Sequence, residues 1–89
     1  MFEEADRRVL AAALQVVENQ LRDGTPPETR KTLERLVEEG RTAAEAKRLI
    51  ATVILREMVD ILRSNTPFDP PRFAAALDRL PALPTDGDE

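Results

Sequence analysis

TAAEAKRLIATVILREMVDILRS, residues 42–64, is the stretch whose reading decides the fold. Thr42 followed by Glu45 has capping-box spacing: hydroxyl and carboxylate each satisfy a backbone N–H that the first helical turn leaves without a partner. Beyond it, Ala46, Ile50, Val53, Ile54, Met58, Ile61 and Leu62 recur with a helical period. Ala44, Ala51 and Leu55 widen that face to an arc of ~200°, where a surface helix needs little more than ~100°. The spacing predicts a helix over 43–64, roughly 30 Å long. The width of its apolar face predicts contact with several neighbours or with a second subunit.

Upstream, Gly40 is a stop, and only Arg41 separates it from the Thr42 cap, so two helices must meet there at a tight corner. Thr25-Pro26-Pro27-Glu28 offers a threonine cap, proline at the first helical position and glutamate three residues after the cap. That start predicts a helix over 26–39 with Leu33, Leu36 and Val37 as its apolar stripe. The first helix is expected over 3–23, where Val9, Leu10, Ala13, Leu14, Val16, Val17 and Leu21 share one face. Glu3, Glu4 and Asp6 suit its positive end, and Gly24 closes it.

Downstream, Asn65-Thr66-Pro67 breaks the helical pattern. Asp69-Pro70-Pro71 reads as a cap followed by first-turn prolines, and Phe73, Leu77 and Leu80 mark a short helix over 70–80. Residues 81–89, with Pro84, Gly87 and three acids, are expected to form a flexible acidic tail. No alternating β-branched run competes with this reading. The expected fold is all-α: a single domain over 1–80, built as a small bundle of four helices.

The residue types that are absent restrict the chemistry. The 89 residues include no cysteine, histidine, tryptophan or tyrosine. Disulfides, thiolate nucleophiles, zinc sites of the Cys/His type and imidazole general bases are thereby excluded. Ser64 is the only serine and sits at a helix end. Gly24, Gly40 and Gly87 are isolated, so no phosphate-cradling loop is present. No catalytic residue and no cofactor is expected.

Charge is uneven along the chain. The formal net charge is −4, yet residues 40–80 carry seven basic and five acidic groups. Helix 43–64 follows a glycine corner in a helix-turn-helix outline, but it is the most apolar helix, and Glu45, Glu57 and Asp60 intersperse its basic residues. No nucleic-acid partner is expected. Apolar runs reach only six residues, as in Val9-Leu10-Ala11-Ala12-Ala13-Leu14, so no membrane span is expected either. Met1-Phe2-Glu3-Glu4 lacks a signal-peptide pattern, which leads to the expectation of a cytoplasmic protein. The richness in arginine, alanine and proline matches a GC-rich bacterial genome.

Glu57 is the residue that departs from the pattern. It falls between Val53, Ile50 and Ile61 on the apolar arc, where a carboxylate must be paired, protonated or at a solvent edge. Asp60 lies three residues on, so the two carboxylates could face one hard cation. A structural ion pair with an arginine from another helix is the competing reading. Asp6 and Gln20 also fall on an apolar arc; Gln20 is expected inward, Glu18 and Asn19 outward.

Val16-Val17-Glu18-Asn19-Gln20-Leu21, Pro26-Pro27-Glu28, Arg35-Leu36-Val37-Glu38-Glu39-Gly40 and Glu45-Ala46 together form a pattern over roughly residues 10–65. In this the chain resembles a group of small bacterial all-helical domains of unknown function. The resemblance implies a bacterial source and no particular activity. Some members of that group carry histidines in the first and third helices. This chain has none, so no metal or catalytic role tied to them carries over.

The leading functional expectation is a non-catalytic protein-interaction or self-association module, with a homodimer or another protein as partner. Leu10, Leu14, Ile50, Ile54, Met58, Ile61 and Leu62 are expected to form the core or its extension into an interface. A small-ligand or divalent-cation site at Glu57 and Asp60 is the alternative. An accessory subunit of a larger complex is a third reading.

Overall fold

The computed structural model describes residues 4–65 and 67–82, with side chains from Arg7 onward. Four helices follow one another: α1 (Glu4–Asp23), α2 (Pro27–Glu38), α3 (Ala43–Ser64) and α4 (Pro70–Arg79). No strand occurs among the described residues. No described helix is long and apolar enough to cross a membrane. Of the expected tail, only Pro81 and Ala82 are described. Asp6's side chain also lies outside the described set.

Helix ends follow local chemistry. Thr42 Oγ1 accepts from the Glu45 N–H and Glu45 Oε1 accepts from the Thr42 N–H, each at 3.0 Å, so the capping box is complete. Gly24 (φ 75°), Gly40 (φ 110°) and Asn65 (φ 57°) adopt the positive φ that closes a helix, which glycine and asparagine tolerate. Asp69 caps α4 through the Arg72 N–H.

The start of α2 corrects the sequence reading. Pro26, not Thr25, is the N-cap, and no side-chain oxygen caps this helix. Pro26 precedes Pro27, whose ring disfavours helical backbone at the residue before it; Pro26 therefore stays extended at φ −70°, ψ 151°. At Asp69-Pro70-Pro71 the same dipeptide does enter the helix, because an aspartate, a stronger cap than threonine, holds the turn.

α3 packs against α1, α2 and α4, as its broad apolar face requires. α1 and α3 form the most extensive helix pair, whereas α1 and α4 do not touch. The core gathers Ala13, Val17 and Leu21 of α1, Leu36 of α2, Ala46, Ile50, Ala51, Val53 and Ile54 of α3, and Phe73, Ala76, Leu77 and Leu80. Leu10 and Leu14 pack on it partly buried.

α2 buries a different face from the one its apolar pattern suggests. Thr29, Thr32 and Leu36 are buried, Leu33 is half-buried and Val37 is exposed. The threonine hydroxyls do not obstruct this, since Thr29 Oγ1 donates to Gln20 Oε1 at 2.7 Å. Two arginines of α2 bind the C-terminal carbonyls of its neighbours: Arg30 donates to the Leu21 carbonyl of α1, and Arg35 to the Leu77 carbonyl of α4 at 3.0 Å. Both carbonyls lie in the last turns of their helices, where helical bonding runs out, and the Leu77 carbonyl also accepts from the Leu80 N–H at 3.1 Å. Lys47 Nζ joins α3 to Glu18 of α1 at 2.9 Å.

Candidate functional site

Because α1 and α4 both lie on α3 without meeting, a groove of about 290 Å³ opens between them. Val16 and Gln20 of α1 form one wall, and Phe68 and Phe73 the other. The floor and one edge come from Ile54, Glu57, Met58 and Ile61 of α3. The two phenylalanine rings lie 5.6 Å apart at 57°, a tilted pair that ties the α3–α4 connection to α4.

Glu57 stands at the base of this groove and is only 5% exposed. Its partner is Arg72, whose Nε and Nη2 both donate to Glu57 Oε1, at 3.2 and 3.0 Å. The cap at Asp69 sets where α4 begins and so places Arg72 one turn in, facing α3. The bond to Glu57 raises the Arg72 pKa above arginine's ordinary value against a lowering by burial, and the charges of Glu57, Asp60 and Asp69 add to the rise. A raised pKa keeps the guanidinium charged throughout the range where arginine is already charged. Of the readings left open for Glu57, the ion pair with an arginine from another helix is the one observed.

On its other side the Glu57–Arg72 pair borders a smaller cavity of about 180 Å³, lined by Val53, Arg56, Asp60, Ala76 and Arg79 as well. The spacing of Glu57 and Asp60 does bring both carboxylates to one cavity. Asp60 Oδ1, however, accepts from Arg56 Nε at 3.2 Å, so each carboxylate is already matched by a guanidinium. No group of three or more Asp, Glu, His or Cys side chains that could hold a metal ion exists among the described residues.

The remaining residues named from sequence separate into core and surface. Ile50 and Ile54 are buried, and Leu10, Leu14 and Ile61 are partly buried. Met58 is 44% exposed and Leu62 82% exposed. Val59 is exposed and Leu55 is half-buried against the core, so Leu55, Met58, Val59 and Leu62 form a second apolar stripe on α3 that is exposed except at Leu55. A second depression of about 540 Å³ lies over Leu33, Glu34, Val37, Glu38 and Ala43; it holds no buried polar group.

Sequence reasoning does not single out Arg72, Phe68 or Gln20 as groove residues. Arg72 is one of thirteen basic residues, and only its place after the Asp69 cap distinguishes it. Gln20, expected inward, is half-buried and held by Thr29. No family model, curated protein or solved structure matches this chain.

Proposed function

We propose that this chain is a non-catalytic protein-interaction module that self-associates through the C-terminal half of α3. The observation that carries the reading is the stripe Leu55, Met58, Val59 and Leu62, with Leu62 82% exposed. Its i, i+3, i+4, i+7 spacing is the one by which a helix packs on another helix. A domain of this length buries only roughly 60% of its unfolded surface. An added apolar contact therefore contributes usefully to its stability. A second copy presents the same stripe, and two-fold packing of one stripe on the other closes the assembly.

Light scattering on the eluting protein tests this over about 1–100 μM, a range that spans micromolar self-affinity. The expected result is a dimer at the upper end. Leu62→Glu should return the chain to monomer with its helical circular dichroism unchanged. A wild-type monomer throughout that range overturns the reading.

The cation alternative has no comparable support. Both candidate carboxylates already carry guanidiniums, and Arg79 adds a third cation beside them. A hard divalent ion takes about six or more oxygen ligands. Calorimetric titration with Mg²⁺ or Ca²⁺ is expected to give no heat beyond dilution.

A further inference from the structure

We propose that the depression at the α2–α3 corner docks a positively charged amphipathic helix of another protein. Its volume is about 540 Å³, and its lining is Leu33, Glu34, Val37 and Glu38 of α2 with Ala43 of α3, so no basic side chain lines it. Leu33 and Val37 are one helical turn apart, and so are Glu34 and Glu38. An apolar row and an acidic row therefore run side by side along α2. The apolar row is left at the surface because α2 buries Thr29, Thr32 and Leu36 instead; Val37 is 43% exposed. Ala43 closes one end with only a methyl group, which lets a second backbone come near.

The acidic row selects the sign of the partner. Glu39 is held by Arg35 at 3.1 Å, whereas Glu34 and Glu38 form no hydrogen bond or ion pair among the described residues. Two like charges one turn apart on a helix repel, and a cation between them relieves that repulsion. A bare divalent ion is poorly served, because it takes about six or more oxygen ligands and gains nothing from Leu33 and Val37. A lysine or arginine side chain uses both rows: its alkyl stem covers apolar surface while its charged head meets the carboxylates. A helix with apolar side chains at i and i+4 beside a row of such cations matches the two rows of α2. A second copy of this chain fits less well. Its exposed apolar face with arginines alongside is the α3 stripe, next to Arg56 and Arg63. Seating that stripe on α2 of the next copy makes a head-to-tail contact, which two-fold symmetry cannot close. Ala43 and Leu62 lie near opposite ends of α3, roughly 29 Å apart by helical rise, so the inference stands apart from self-association.

The probe is an amphipathic peptide of leucine and lysine, about 15 residues long so that its helix is populated. A control peptide carries glutamate at each lysine position. Both are titrated into isotope-labelled wild type and into the Leu62→Glu variant, and backbone amide shifts are followed. For the lysine peptide, saturable shifts centred on residues 33–43 with a Kd of about 100 μM are expected in both proteins. Raising NaCl from about 50 to about 500 mM should weaken that binding several-fold, because the charges are exposed and screened. The glutamate peptide should bind about 10-fold more weakly or not at all. Glu34→Gln combined with Glu38→Gln, and separately Val37→Ser, should each weaken the lysine peptide by about 5-fold, with the helical circular dichroism unchanged because all three positions are exposed. Equal binding of the two peptides, shifts centred outside 33–43, or wild-type affinity in these variants overturns the inference. So do shifts over 33–43 that grow with protein concentration alone, since they make a second copy the occupant. A dimeric wild type whose α2 ignores the lysine peptide refutes the depression alone; a monomeric wild type that binds it there refutes the stripe alone.

Discussion

At position 57 a carboxylate occupies a place that the helical period assigns to an apolar side chain. Its consequence is an asymmetric pair: the Glu57 side chain is 7% exposed and that of Arg72 41%. Once its partner is removed, Arg72 swings into water, whereas Glu57 stays buried as an uncompensated charge. Arg72→Ala is therefore expected to lower the urea midpoint more than Glu57→Met does, and Glu57→Met should be close to neutral. The reverse order would place the main stabilising role on the carboxylate. Thr29 is fully buried, and its hydroxyl holds Gln20. Thr29→Val preserves shape and removes that bond, so a loss of about 0.5–1.5 kcal/mol is expected in chemical denaturation. The helical period marks Glu57 as anomalous but does not name its partner, because Arg72 lies 15 residues away on another helix. Pairing across helices depends on how they pack, which no local pattern encodes.

Helix ends are decided by a few neighbouring groups, and they are the most legible part of the chain. The boundaries expected for the third helix, 43–64, coincide with α3 because Thr42 and Glu45 complete their reciprocal bonds. Thr42→Ala should cost about 1 kcal/mol, measured by the same unfolding experiment. A β-carbon added at Gly40 would meet open space, so substitution there brings no clash, only the strain of φ 110°. Gly40→Ala is expected to cost about 1–2 kcal/mol through backbone strain alone. The start of α2 lies one residue beyond the expected one, because the restriction that Pro27 puts on Pro26 outweighs a threonine cap. The buried face of α2 differs from expectation for another reason. Period analysis weighs Val37 as apolar and the threonines as polar, yet α2 is turned by its Arg30 and Arg35 bonds to the ends of α1 and α4. With those contacts made, Thr29, Thr32 and Leu36 face inward and Val37 faces water.

Across the whole molecule, two leucines of similar appearance in the sequence have opposite roles. Leu36 is fully buried and Leu62 is 82% exposed. Leu36→Ala should cost about 2–5 kcal/mol, a large share of the ~5–15 kcal/mol by which a domain is stable. Leu62→Ala, read in the monomer at low concentration, should change stability by less than about 0.5 kcal/mol. The radius of gyration, 12.8 Å, is close to the ~12 Å expected for a compact chain of this length. The sequence by itself determined the all-helical class, the number of helices and most of their ends, because periodicity, caps, glycines and prolines act within a few residues. It also determined the central place of α3, since an arc of ~200° cannot be covered by one neighbour. Only the tertiary structure decided which part of that arc stays uncovered, that α1 and α4 leave a groove between them, and that Arg72 is the arginine that pairs with Glu57. These outcomes depend on the positions of helices relative to one another, which packing of the entire core sets at once and which no single segment carries.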